Sequence, residues 1–390
     1  MAEELAYVII TPYTLSKSRT GGMIARLVAR SGIDMVAARM FAPSRPLVEE
    51  YTDAILPGRT PPENRVQDLL RSYVRQNFAP DPKTGRPRRV MVLLFQGEDA
   101  VRRIRSVVGN ISFERRNSGE TIRDTYGDLI VDESGQVRYF EPALLAAPNL
   151  QEARIKCKIW AKYSDTDAGL LENVIAYQPG EKPQRTLVLI KPDNFRFPSG
   201  RPGNMIDFFS RAGLYIVAIK LHRMSTAQAV EFYGPVKETL RTKLYEMVGA
   251  RAKGALEKEF AFKVPDDEAN QIGKVLCPLF GEYQFENIIR FMSGRAPSEC
   301  APGTLNQPGT ERCIAIVYEG VDAVRKIRSV LGPTDPSKAP PGSIRREFGQ
   351  SIMVNAAHAS DSAENAKREI RIVDVAENNF RKVVEEIYGK

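Results

Sequence analysis

The stretch MVLLFQGEDAVRRIRSVVG, residues 91–109, returns without a gap as IAIVYEGVDAVRKIRSVLG, residues 314–332. Ten of these nineteen positions are identical, where composition alone gives about one. Three further blocks repeat in the same order. AYVIITP (6–12) answers TLVLIKP (186–192), MIARLVARSG (23–32) answers MIDFFSRAG (205–213), and TIRDTYG (121–127) answers SIRREFG (343–349). Ordered recurrence of four blocks marks an internal duplication.

Working outward from the repeat, each half reads the same way. An apolar strand (YVII or LVLI) runs into a Pro-marked turn, and an amphipathic helix then ends near Gly32 or Gly213. A second strand follows, DMVAARM or YIVAIKL, then a variable helical stretch. The third strand, VMVLLF or CIAIVY, leads past a glycine to a helix starting at Asp99 or Asp322. Such strands are too few and too irregular for a doubly wound sheet. The pattern predicts an α+β protein of two ferredoxin-like α/β sandwich domains, each with a mainly antiparallel sheet and helices. The expected domains are 1–170 and 184–390, with a linker near 165–184, around AYQPGEKPQ, where Pro, Gly and charge break the pattern. The second half is longer through inserts near 239–276 and 293–311, expected to be surface loops or subunit contacts.

The 390 residues, 43% hydrophobic and 27% charged, suit a soluble protein with real cores. No run approaches the roughly eighteen apolar residues of a membrane span. The opening MAEELAYVII lacks the basic region of a signal peptide, so the expected location is the cytoplasm. Cys157, Cys277, Cys300 and Cys313 form no CxxC pair and read as unpaired thiols in a reducing compartment. A formal charge of +8 suits a protein that handles anions, whether nucleotide or nucleic-acid phosphates.

The chemistry concentrates in VNAAHASDSAENAKREI, residues 354–370. His358 follows an apolar-leaning strand and precedes Ser360, Asp361 and Ser362. Asp361 with Glu364 fits a capping box opening a helix. The imidazole then sits at a strand-to-helix junction, near backbone N–H groups that favour negative charge. That setting suits a nucleophile that accepts a phosphoryl group; by itself it suits equally a histidine merely held at a helix start. The other histidine, His222 in IKLHRM, reads as a surface residue.

From RTLVLIKPD (185–193) through LGPTDP (331–336) and PGSIRREF (341–348) to NAAHASDS (355–362), the second half resembles the nucleoside diphosphate kinase family. The resemblance implies a ping-pong reaction: ATP phosphorylates the histidine, ADP leaves, and a second nucleoside diphosphate takes the phosphate. It implies His358 as nucleophile and Glu369 as acceptor from the imidazole nitrogen that does not attack, with Ser360 supporting Glu369 and Tyr233 nearby. It also implies that Lys191, Arg328, Arg345 and Thr334 hold the phosphates and Asn355 the ribose side. Phosphoryl transfer needs this positioning and neutralisation more than covalent help. The implied cofactor is Mg²⁺ bridging phosphate oxygens, with Asp361 helping through water. Homo-oligomers are implied as well.

Departures from the family pattern are also visible. CPLFGEY (277–283) offers Leu279 where the family places a base-stacking phenylalanine, leaving Phe280 as the substitute. Pro235 stands two residues after Tyr233, where an acidic residue is usual. The first half has no histidine; alignment puts Leu145 at the place of His358, Lys156 at Glu369 and Thr11 at Lys191. Arg105 and Arg123 keep the places of Arg328 and Arg345. The first half is therefore expected to be a degenerate, non-catalytic copy. An alternative reading is a nucleotide- or nucleic-acid-binding scaffold with little kinase activity. No basic stripe with interleaved aromatics supports nucleic acid. A third reading has His358 passing its phosphate to a protein.

Overall fold

The computed structural model describes residues 3–58, 60–113 and 119–389. The chain divides into two compact units, Met1–Leu221 with Ile314–Lys390, and His222–Cys313.

The first unit carries the sheets. Their strands are β1 (Glu4–Ile10), β2 (Asp34–Phe41), β3 (Val90–Gly97), β4 (Asp128–Val131), β5 (Val137–Glu141), β6 (Leu144–Ala146), β7 (Pro183–Ile190), β8 (Tyr215–His222), β9 (Cys313–Val321) and β10 (Ala357–Ala359). One four-stranded sheet has the order β2-β3-β1-β6 and the other β10-β7-β9-β8, while β4 and β5 form a separate hairpin. Read from the opposite edge, the second order is the first with each strand replaced by its repeat. Around the central strands the pairing is antiparallel, β1 with β3 and β6, β7 with β9 and β10. The sheets are thus of the expected ferredoxin-like α+β type. The repeated runs VMVLLF and CIAIVY are wholly buried, as strands covered on both faces must be.

The helix that follows each of these strands, Ala100–Val108 or Ala323–Leu331, starts from an aspartate in the left-handed region, Asp99 at φ 54° and Asp322 at φ 57°. Aspartate tolerates that conformation because its short side chain bonds locally. Both helices end at a glycine of positive φ, Gly109 and Gly332. The repeat therefore extends to backbone conformation.

Within this unit the two halves meet closely. Gly21 of helix Thr20–Ser31 faces Gly203 of helix Arg201–Ser210; a Cβ at Gly21 would stand 2.3 Å from Asp207 N and 2.5 Å from Gly203 O. The linker stitches the edges of both sheets. Ala42 N donates to Asp167 O, Gly169 N to Met40 O and Leu171 N to Val217 O. Edge strands β2 and β8 thereby find backbone partners in the linker. Two buried cations at repeated positions, Arg39 and Lys220, cap the loose carbonyls after the last turns. Arg39 donates to Ser164 O at 3.2 Å, Ala376 O at 3.0 Å and Glu377 O at 2.9 Å. Lys220 donates to Val373 O at 3.2 Å, Asp374 O at 2.8 Å and the Glu377 carboxylate at 2.6 Å.

The second unit is helical: Thr226–Thr242, Tyr245–Phe260 and Asp266–Ser293. The insert at 239–276, expected as surface loop or subunit contact, is largely helix. Gly249, Gly273 and Gly281 explain how its helices pack: a Cβ on Gly249 would lie 2.3 Å from Ala269 O, one on Gly273 2.1 Å from Tyr245 O, and one on Gly281 2.6 Å from Arg241. His222 is also corrected. It is 6% exposed, not a surface residue, because it closes a strand whose last seven residues are all buried.

Candidate functional site

Strand β10 is three residues long and pairs with β7 so that His358 lies opposite Leu189. Alternation buries Ala357 and Ala359 and leaves the His358 side chain 22% exposed. The chain then turns into helix Ala363–Val373. Its cap is Ser362, whose hydroxyl accepts from Asn365 N at 3.0 Å. The expected cap, Asp361, lies one residue too early. Asp361 instead accepts from the Asn365 side chain at 2.6 Å. That hydrogen bond, with the charge of Arg328, holds its carboxyl below the usual range.

The helix brings Glu369 back under the imidazole. His358 Nε2 lies 3.0 Å from Glu369 Oε2, and Ser360 Oγ donates to the same oxygen at 2.6 Å. Ser360 is itself fixed by Leu187 N, which donates to its hydroxyl at 3.2 Å. A neutral imidazole donating Nε2–H to a carboxylate carries its lone pair on Nδ1.

A cationic group is built alongside. Lys191, 8% exposed, donates to Asn355 Oδ1 at 2.7 Å and Met353 O at 3.4 Å. Asn355 Nδ2 in turn donates to Ile352 O at 2.8 Å and Thr334 O at 3.2 Å. Burial, reinforced by the nearby charge of Arg345, pulls the Lys191 ammonium down to about 8. Arg345 donates to Gly332 O at 3.0 Å and to Ala357 O, beside His358, at 3.2 Å. Arg328, in the last turn of Ala323–Leu331, and Thr334 are exposed.

Asp193 was not singled out as a site residue, although it closes the IKPD block. Both its carboxylate oxygens are buried without a hydrogen-bond partner among the described residues. Burial raises its pKa against the opposing charge of Lys191. Tyr233 and Phe280 belong to the second unit. Tyr233 is buried on helix Thr226–Thr242 with its ring 5.0 Å from that of Phe232. Phe280 is half-buried with the Arg251 guanidinium 5.9 Å from its ring, and Leu279 is 72% exposed.

The first half repeats the frame without the chemistry. Leu145 lies opposite Ile9 on β1, as His358 lies opposite Leu189 on β7. Lys156 is buried in an ion pair with Glu152. It stands eleven residues after Leu145, as Glu369 does after His358.

A family model described as nucleoside diphosphate kinase matches residues 184–250 and 298–377. A nucleoside diphosphate kinase of Campylobacter hominis is 32% identical over 187 residues, 48% of this chain and 92% of that protein. The chain belongs to the nucleoside diphosphate kinase family. A nucleoside diphosphate kinase of Staphylothermus marinus is likewise 32% identical over 190 residues, 49% of this chain and 92% of that protein. Among solved structures, an NDP kinase from Pyrobaculum aerophilum is 28% identical and covers 49% of this chain and 95% of its own, with a TM-score of 0.34. The nucleoside diphosphate kinase match contains every residue of the His358 and Lys191 networks. It omits 251–297, and with it Phe280.

Proposed function

We propose that the chain moves the terminal phosphate of a nucleoside triphosphate to a nucleoside diphosphate through phosphorylated His358. In this reading residues 184–390 are the catalytic domain and 1–170 a non-catalytic copy. The observation that carries it is the shared oxygen: Glu369 Oε2 stands 3.0 Å from His358 Nε2 and 2.6 Å from Ser360 Oγ.

The donor's phosphates lie among Lys191, Arg328, Arg345 and Thr334, with Asn355 at the ribose side. The Nδ1 lone pair forms a bond to the γ-phosphorus as the bond from that phosphorus to the β–γ bridging oxygen breaks, and the diphosphate leaves with that electron pair. Glu369 keeps its hydrogen bond to Nε2–H and offsets the positive charge that the ring acquires. Ser360 holds the carboxylate in place. The lysine and arginines neutralise charge spread over the phosphoryl oxygens. A second diphosphate then attacks the phosphohistidine by the reverse of these bond changes. Tyr233 and Phe280 are assigned, by family resemblance, to the neighbourhood of the histidine and to the base.

Mg²⁺ fits this donor set as a companion of the nucleotide. It is commonly held by one or two carboxylates together with substrate phosphates and water, and Asp361, kept ionised beside Arg328, is such a carboxylate. When bound it would neutralise the phosphate oxygens. A homo-oligomer and a cytoplasmic location complete the reading.

The test incubates the protein and a His358→Ala variant with Mg²⁺ and γ-labelled ATP. Alkali-stable, acid-labile label on the parent alone, discharged by GDP or CDP, is the expected result. A folded parent that takes no label is a scaffold and not a kinase.

A further inference from the structure

The two halves also differ where β1 and β7 run out. The turn is the same in both. Ala143 and Ala356 adopt the left-handed region at φ 62° and 71°, and their carbonyls accept from Thr11 N at 3.4 Å and Lys191 N at 2.9 Å. What leads into that turn is not the same. Between Gly349 and Ala356 the second half has six residues, 350–355; between Gly127 and Ala143 the first half has fifteen, 128–142. The extra length forms the hairpin β4–β5, which ends on Glu141.

Glu141 is 4% exposed. One carboxylate oxygen lies 3.0 Å from Thr11 Oγ1 and accepts from Ala143 N at 3.0 Å; the other accepts from Tyr73 OH at 2.6 Å. Tyr73 belongs to helix Pro61–Asn77, and the hairpin leans on that helix further along. The Phe140 ring packs edge-on to Tyr73 at 5.7 Å, and Arg65 donates to Gly135 O at the hairpin turn. In the second half the side chain after the strand is a lysine bonded to the neutral Asn355; in the first it is a threonine bonded to a carboxylate. An ammonium is exchanged for a carboxylate, which burial pushes up in pKa while its hydrogen bonds from Tyr73, Thr11 and Ala143 N favour the charged form.

We propose that the first half carries its own anion: the hairpin delivers the Glu141 carboxylate to the place where the second half would grip a phosphate, and so closes this copy to nucleotides. The carboxylate takes hydrogen bonds that an incoming phosphate would need, and two anions at that spacing repel strongly in a buried site. The chain therefore takes one nucleotide, not two. This rests on the nucleotide-binding reading of the second half.

The experiment titrates the full chain with Mg²⁺ and ADP by calorimetry and maps amide exchange with and without ADP. One ADP per chain, with protection in the second half that includes residues 331–359 and none at residues 121–146, is the expected result. Two ADP per chain, or protection of residues 121–146, overturns the closed first half. ADP bound without protection at 331–359 defeats the catalytic reading instead. A Thr11→Lys, Glu141→Asn double variant restores the charge of the second half's pair and is expected to bind a second ADP. A variant of unchanged melting temperature that still binds one overturns the role given to Glu141.

Discussion

Arg123 and Arg345 hold the same pair of backbone carbonyls in their respective halves. Arg123 donates to Gly109 O at 2.5 Å and Leu144 O at 3.2 Å; Arg345 donates to Gly332 O at 3.0 Å and Ala357 O at 3.2 Å. Each guanidinium ties the glycine after one helix to the short strand at the sheet edge. A contact kept in both halves, only one of which has the histidine, serves the frame. Leaving such carbonyls unsatisfied costs about 1–3 kcal/mol. Arg123→Ala and Arg345→Ala are both expected to lower the melting temperature by roughly 5 °C, while only Arg345→Ala lowers turnover per folded chain. Calorimetry alongside an activity assay checks this. Loss of turnover in Arg345→Ala at unchanged melting temperature would assign that arginine to substrate alone.

Glu369 and Ser360 make a graded pair. Glu369→Gln keeps the shape but replaces the charged acceptor beside Nε2, so the tautomer is no longer enforced and the ring's developing charge is unopposed. The rate of phosphoenzyme formation is expected to fall on the order of 10²-fold. Ser360→Ala removes one of the bonds holding the carboxylate and is expected to cost about tenfold or less. Rapid-quench measurement of single-turnover phosphorylation separates these effects from nucleotide affinity. Equal losses in the two variants would contradict an indirect role for Ser360.

Lys191 titrates within the working range because burial brings it down to about 8. Phosphate binding requires its charged form and stabilises that form, so binding at pH 8 and above takes up a proton. Affinity for ADP is expected to fall as pH rises from 7 to 9.5, with a slope approaching tenfold per pH unit above 8. Calorimetric titrations at pH 8.5 in buffers of different ionisation enthalpy report the proton uptake directly. Lys191→Gln should show weaker binding, without that uptake. A flat profile for the parent would place the lysine's charge elsewhere.

The sheet centres were legible in the sequence because a strand buried on both faces has to be a continuous apolar run, and such runs repeat visibly at 91–109 and 314–332. The left-handed Asp99 and Asp322 were legible as helix starts for a local reason too. The set of site residues came from resemblance, and what came with it was identity and order, not contacts. That is why Asn355 as a hub joining Lys191 to Thr334 O was not readable: the three meet only after β7 and the connection before β10 converge. Ser362 took the cap from Asp361 by a one-residue difference in where the chain turns, which composition does not encode. Glu141 escaped notice because its partners Thr11 and Tyr73 lie 130 and 68 residues away. The burial of His222 follows from the strand it ends, whose neighbours are distant in sequence.

Gly21 and Gly203 set how closely the two repeats approach. A methyl group on Gly203 would stand 2.2 Å from Ala25 N and 2.4 Å from Gly21 O, all backbone atoms that no rotamer change can move aside. Both helices must therefore separate if either glycine acquires a side chain, and the apolar residues beside them, among them Ile24 and Ile206, lose their fit. Overpacking of this kind costs about 1–3 kcal/mol. Gly21→Ala and Gly203→Ala are each expected to lower the melting temperature by several degrees. The double variant should fall by less than the sum, because the first substitution has already opened the gap the second needs. Additive losses would show that each glycine serves only its own helix, and the crossing would then not depend on the pair.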